Sequence, residues 1–398
     1  MEKACAEEIK EISAAFSGFL PLLDTVTIEE NGFNVGSYST LSLFEGAVNV
    51  KNFALYTYTA SSLSLFNFKN LTIFKFGGGG GRDKYSTCLL LDFLEASPSL
   101  QEISIKITDV FNEDVPPDRL LLFPCVKVFR LTLLSNSGGW KFATHLSCPS
   151  AERVQFTTKP GYSSSDIPEV IFPPSNQWSA IARQYTTGTT NEVELILGLG
   201  ETLACAIVFR SINNTRLMLY YGHPIESRSM RLARKIASTL FSRASGVLLN
   251  HPLLANIGSL CIKENGLLSD NIRLTANKFG KLIGSMGPLD DLHLVSCDLR
   301  PYLDPFLETS HYPDAIRPTS FPAIKRLTIF RPTQSLSKNE HYAAAIVTFA
   351  KSQHARGKPF ECVRLRPTPP SWLVEELSLS VDVVDFDQIL SDGGEGQN

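Results

Sequence analysis

The sequence is poor in the features that most enzymes and membrane proteins display. No run of about 18 apolar residues occurs, so no membrane-spanning segment is expected. The first residues, Met1-Glu2-Lys3-Ala4-Cys5-Ala6-Glu7-Glu8, are acidic and lack the apolar core of a signal peptide. Eight cysteines stand at positions 5, 88, 125, 148, 205, 261, 297 and 362, and none forms a Cys-x-x-Cys pair. Scattered thiols without a secretory signal read as reduced residues of a cytoplasmic or nuclear protein. In that setting the sequons Asn70-Leu71-Thr72 and Asn213-Asn214-Thr215 carry no meaning. Charge of neither sign dominates: 37 Lys and Arg face 40 Asp and Glu, for a net charge of −3. A general polyanion binder needs a basic surface, so no nucleic-acid partner is expected.

Motifs for catalysis and cofactors are equally scarce. The seven histidines include no His-Glu-x-x-His and no His-x-His, so no metal site is expected. His145 and His251 read as linker residues, and His293, between Leu292 and Leu294, points away from the core of its strand. No Gly-x-Ser-x-Gly elbow is present, and no catalytic residue is nominated. The glycine run Gly77 to Gly81 is followed by Arg82-Asp83-Lys84-Tyr85-Ser86 rather than Gly-Lys-Ser/Thr, and reads as a flexible linker. Gly198-Leu199-Gly200 lacks the third glycine of a dinucleotide fingerprint, so no cofactor is expected. Asp290-Asp291 reads as solvated acids in a turn.

What the chain does have is a recurring phrase: proline, any residue, then apolar residues spaced h-x-x-h-x-h. It reads Pro21-Leu23-Val26-Ile28, Pro98-Leu100-Ile103-Ile105, Pro124-Val126-Phe129-Leu131, Pro149-Ala151-Val154-Phe156 and Pro322-Ile324-Leu327-Ile329. With 23 prolines and 43% hydrophobic residues, chance gives roughly two such phrases. Looser versions lack the leading proline: Val50-Phe53-Leu55, Phe68-Leu71-Ile73, Ile257-Leu260-Ile262, Leu289-Leu292-Leu294 and Phe360-Val363-Leu365. The last three residues of each alternate as a half-buried strand must. A strand unit that cannot bury its own face implies stacking.

Helical periodicity fills several gaps. Cys88 to Ser97 leads into Pro98; Phe279 to Ser285 precedes Gly287-Pro288; Tyr342 to Gln353 places Ala345, Ile346, Phe349 and Ala350 on one face before Phe360. Helix, turn, strand is the unit. The rhythm breaks between 151 and 257, where a short helix from Trp178 to Tyr185 precedes three apolar runs: Val193 to Leu197, Cys205 to Phe209 and Arg216 to Tyr221. These read either as a small antiparallel meander or as irregular repeats. Ser229 to Val247 reads as a helix decorated by Arg231, Arg234, Lys235 and Arg243, with Arg228 just ahead of it. That basic face could meet an acidic partner, a phosphopeptide or RNA, although a solvated helix face is the simpler reading.

Leu90 to Ile105, Leu120 to Val126, His145-Leu146-Ser147-Cys148-Pro149-Ser150-Ala151 and His251-Pro252-Leu253-Leu254-Ala255-Asn256-Ile257 resemble the repeat region of mushroom-type fungal F-box proteins. The likeness covers roughly residues 20 to 365. It implies a leucine-rich region that presents a substrate to a cullin-type ubiquitin ligase, with the adaptor docked by an N-terminal F-box. No Leu-Pro-x-Glu-Ile-Leu segment stands before residue 20, so an adaptor is expected as partner only if an F-box lies upstream.

The fold expected is α/β: a leucine-rich-repeat-like solenoid, with parallel strands on the concave face and helices or loops outside. Its divisions are a helical cap over 1–19, repeats over 20–160, irregular repeats or a small insertion over 161–250, repeats over 251–390 and a disordered tail over 391–398. Within h-x-x-h-x-h the residue between the last two apolar positions faces the concave side. Those residues are Thr27, Ala54, Thr72, Ser104, Arg130, Gln155, Cys261, His293, Thr328 and Arg364. Thr72, Ser104, Arg130, Gln155, His293, Thr328 and Arg364 are the candidate protein-binding residues. Their mixed character fits a protein partner, and the expected function is non-enzymatic protein binding. The alternatives are a free-standing interaction protein without ligase recruitment and, more distantly, a hydrolase with its site in 161–250.

Overall fold

The computed structural model describes residues 22–29, 47–57, 66–78, 87–107, 119–133, 139–159, 190–199, 202–211, 215–224, 257–265, 276–286, 289–295, 299–303, 323–330, 340–366 and 368–386, together with residues 11 and 63. Nearly all of the 1–19 cap, the helices expected at 178–185 and 229–247, and the 391–398 tail lie outside them. The chain forms two compact units, Met1–Thr189 with Arg210–Glu226, and Thr190–Phe209 with Ser227–Asn398. Each is mixed α/β and dominated by mostly parallel sheet with few helices.

In the first unit the strands are β1 (Thr25–Glu29), β2 (Asn52–Thr57), β3 (Ile73–Gly78), β4 (Glu102–Ile107), β6 (Val128–Leu133), β8 (Arg153–Thr158) and β11 (Arg216–Pro224). They lie side by side in that order, and every adjacent pair is parallel. Two short strands, β5 (Leu121–Leu122) and β7 (Leu146–Ser147), pair separately, and a 3-10 segment spans Gly139–His145. In-register apolar rows line the covered face: Phe53, Phe74, Ile103, Phe129, Val154 and Leu217 in one, Leu55, Phe76, Ile105, Leu131, Phe156 and Leu219 in the next, all at most 1% exposed. The helix α1 (Thr87–Glu95) adds Leu90, Leu91, Phe93 and Leu94 to this core.

The phrase has a direct structural meaning. Its proline occupies the second position of a tight turn closed by a backbone bond, Leu100 N to Ser97 O, Val126 N to Phe123 O, or Ala151 N to Cys148 O. Proline pre-sets φ for that position, and the turn delivers the first apolar residue inward. The residue after it carries a second device. Its carbonyl accepts two N–H groups of the next strand's start: Asp24 O takes Lys51 N and Asn52 N, Lys51 O takes Thr72 N and Ile73 N, Thr72 O takes Gln101 N and Glu102 N. Gln101 O and Lys127 O continue the ladder to β6 and β8. It satisfies buried main-chain groups and fixes the stagger of neighbouring strands.

The second unit repeats the carbonyl device. Its strands are β10 (Thr202–Ser211, of which Arg210 and Ser211 belong to the first unit), β9 (Thr190–Leu199), β12 (Ser259–Asn265), β13 (Asp291–Val295), β14 (Arg326–Phe330), β15 (Phe360–Arg366) and β16 (Val381–Phe386), adjacent in that order. All pairs from β9 to β16 are parallel. Only two residues separate β9 from β10, a connection that only an antiparallel pair can make. The carbonyls of Gly258, Asp290 and Lys325 each accept two N–H groups from the next strand's start. Helices α2 (Ala276–Ser285), α3 (Arg300–Leu303), α4 (Glu340–Ala355) and α5 (Ser371–Ser378) supply the buried residues Phe279, Leu282, Tyr302, Ile346, Phe349 and Leu373. Helix α4 ends at Gly357, whose φ of 69° lets Lys358 N close back onto Gln353 O.

Two readings of the sequence are corrected here. Gly77 and Gly78 are not linker but the last residues of β3, and a Cβ at Gly77 would fall 2.4 Å from the Tyr56 ring. His145, read as a linker residue, is buried, with Nδ1 2.8 Å from Arg119 O.

Candidate functional site

On the face of each sheet opposite the core, one residue per strand stands between two core-facing positions. In the first unit the register aligns Thr27, Ala54, Lys75, Ser104, Arg130, Gln155 and Met218. In the second it aligns Glu194, Cys261, His293, Thr328, Arg364 and Asp385. Ser104, Arg130 and Gln155 thus share one row, while His293, Thr328 and Arg364 share the other. Thr72 does not belong: it precedes β3 as a ladder residue, with Oγ1 3.2 Å from Lys51 O. Lys75 takes its place, because the inward pair on β3 is Phe74 and Phe76.

Charges along these rows are tied in sequence-distant pairs. Arg130 Nη1 lies 2.5 Å from Glu102 Oε1 across β6 and β4. Arg326 grips Asp291 with Nε and Nη2, the latter at 2.7 Å, and Lys325 holds Asp290 at 2.9 Å. The two aspartates therefore fasten β13 to β14 and are not merely solvated. Arg364 Nε donates to Asp385 Oδ2 at 2.6 Å, fastening β15 to β16. Surface pairs of this kind contribute at most about 1 kcal/mol each, so their effect is chiefly to hold side-chain orientation.

His293 sits half-buried among these pairs. Burial pushes its pKa below the ordinary value, and Arg364 and Arg326 act the same way, while Asp291 and Glu192 pull it up. The folded state therefore resists protonation that the unfolded chain accepts near pH 6.5. Its stabilising contribution is complete above about that pH and is lost as pH falls through the lower folded value. His293→Gln should flatten this part of the melting temperature's pH dependence, measured by thermal unfolding at pH 7.5, 6.5 and 5.5. An identical slope in the variant contradicts the assignment.

A cleft of about 410 Å³ opens on the first unit, where β6, β8 and β11 meet the end of β10. Phe129, Val154 and Met218 line it with Gln155 and four arginines, Arg130, Arg153, Arg210 and Arg216. Arg153 and Arg216 are direct register partners across β8 and β11, with Cα atoms about 4.8 Å apart. Among the described residues neither forms an ion pair with a carboxylate. The backbone bond from Ser211 N to Thr215 O brings Arg210 back beside Arg216. Gln155 presents its amide beside them, donating to Thr157 Oγ1 at 3.0 Å.

The sequence reading found Arg130 and Gln155 of this group but missed Arg153, Arg210, Arg216 and Met218. A signal was present: Arg153-Val154-Gln155-Phe156 and Arg216-Leu217-Met218-Leu219 are the same phrase, each opening on arginine. Among the described residues no three His, Cys, Asp or Glu side chains gather where they could hold a metal ion. The buried thiol of Cys148 is pushed up to about 12 by desolvation, and that of Cys205 is also raised, which keeps both in the unreactive protonated form. Compared with known family models, curated proteins and solved structures, the chain matches none.

Proposed function

We propose that this chain is a non-enzymatic protein-binding scaffold of leucine-rich-repeat type. In this reading it is an α/β solenoid whose parallel strands line a concave binding face, with helices or loops outside. The observation that carries the reading is the pair of in-register rows, in which buried apolar positions alternate with open polar ones on strand after strand. A broad, rigid face of mixed side chains suits a protein surface better than a small substrate. Ion pairs that pin Arg130 and Arg364 lower the side-chain entropy lost on binding, which favours arginine as a contact residue.

The resemblance to mushroom-type F-box proteins makes a cullin-ligase adaptor and its substrates the first partners to try. Recruitment of the adaptor by the chain supports a substrate receptor; absence of recruitment with other partners retained supports a free-standing interaction protein. The test of the binding face itself is Arg130→Glu combined with Arg364→Glu. Affinity for a partner should fall at least about tenfold, the loss expected from reversing two contact charges. Unaltered partner binding in the folded double variant counts against the proposal.

A further inference from the structure

We propose that the arginine cleft of the first unit is a recognition site for a phosphorylated side chain on a partner peptide. The inference rests on the protein-binding reading above and names the chemistry of one contact within it.

Like charges set directly opposite each other on paired strands are destabilising, so a core built for stability alone would place a carboxylate or a neutral residue at one of them. Arg153 and Arg216 occupy such a pair without a carboxylate to divide them. Glu102, an acid in the same register row, is already engaged by Arg130. The cleft therefore holds two uncompensated guanidinium groups, with Arg130 and Arg210 beside them and an amide donor at Gln155. A phosphoryl group carries about −1.5 to −2 charges at neutral pH and three strong acceptor oxygens, which matches two free guanidiniums in both charge and donor count. One carboxylate, with a single charge, would leave half of the site uncompensated.

The extent of the patch argues for a single group rather than a polymer. Moving away from the cleft, the open row becomes Ser104, Lys75, Ala54 and Thr27. The row beside it becomes Val128, Glu102, Ile73, Asn52 and Thr25. Among the described residues the uncompensated arginines thus sit on neighbouring strands, about 10 Å, and beyond them the row holds an isolated Lys75 among neutral residues, whereas a nucleic acid needs a continuous basic track. Met218 flanks the cleft on the open row, giving apolar surface for the carbon chain that bears the phosphate.

The test uses the full chain against an array of phosphoserine, phosphothreonine and phosphotyrosine peptides with matched unphosphorylated and glutamate-substituted copies. Inorganic phosphate and a single-stranded DNA oligonucleotide serve as competitors. The site predicts that a subset of phosphopeptides binds, that removing the phosphate weakens them at least about tenfold, and that Arg153→Gln with Arg216→Gln does the same. Both glutamines remove charge without inserting one, and the variant's unchanged thermal melt is checked alongside; the single variants repeat the measurement if the double one melts early. Lys351→Gln, on α4 of the other unit and away from the strand rows, should leave phosphopeptide binding intact. Equal binding of glutamate copies, stronger binding of the oligonucleotide, binding of inorganic phosphate alone, or no phosphopeptide binding at all overturns the inference. A partner still lost on charge reversal of Arg130 and Arg364 would then leave the scaffold reading standing.

Discussion

Replacing Leu131 with Asp should abolish the cooperative folding of the first unit. Leu131 is fully buried, and its register partners Ile105 and Phe156 are buried with it. Among the described residues no buried lysine or arginine can pair with a carboxylate placed there, and an uncompensated buried charge costs several kcal/mol. Its alternative, protonation, still leaves polar atoms without partners and forfeits the packing of a leucine. Ile105→Asp, one strand over, should behave alike. The effect is read by thermal melting and by limited proteolysis, with cleavage appearing between residues 100 and 158. Wild-type melting and protease resistance in both variants would contradict the repeat packing.

Phe53→Ala should be the next most damaging change, lowering stability by about 3–5 kcal/mol. Phe53 is 1% exposed and touches an aromatic cluster on several sides. Its ring centroid lies 4.9 Å from both Phe66 and Phe68, 5.8 Å from Phe93 and 6.1 Å from Phe74. Phe93 comes from α1, so the cluster joins helix to sheet, and a void at its centre cannot be filled without moving both. Phe53→Leu keeps most of the volume and should recover at least half of the loss. Denaturant titration of the three chains measures the ranking; equal midpoints for wild type and Phe53→Ala would contradict the cluster's role.

The repeat phrase made much of this architecture legible. Proline at a turn, one inward residue and two alternating strand residues are local requirements, so they appear as a local pattern. They located β1, β2, β4, β6, β8, β12, β13, β14 and β15, and the helical periodicity located α1, α2 and α4. Phase was less secure where the proline is missing. Phe68-Leu71-Ile73 and Leu71-Phe74-Phe76 both satisfy h-x-x-h-x-h, and Lys69 stands where the proline would have settled the choice. The glycine run hides the end of β3, so the pattern points to Thr72 where the strand presents Lys75. The carbonyl ladder left no side-chain signature, because any residue can supply a backbone oxygen.

The arginine cleft was illegible for a different reason. Arg153 and Arg216 are brought together only because β11 lies next to β8 while β9 and β10, which come between them in sequence, lie elsewhere in the strand order. A repeat pattern predicts that each phrase pairs with the next, and this pairing skips two strands. Asp291 and Arg326, by contrast, sit at the first strand position of consecutive phrases, so their pairing follows from the repeat itself.

The most direct test of the central claim asks which face of the repeats a partner touches. A photo-cross-linking amino acid is placed at Ser104 and Thr328, on the open rows, and at Glu95 and Glu375, exposed on α1 and α5. The same partner should be captured from Ser104 or Thr328, or from both, and from neither helix position. Capture from the helix positions alone would contradict a binding face built on the parallel strands.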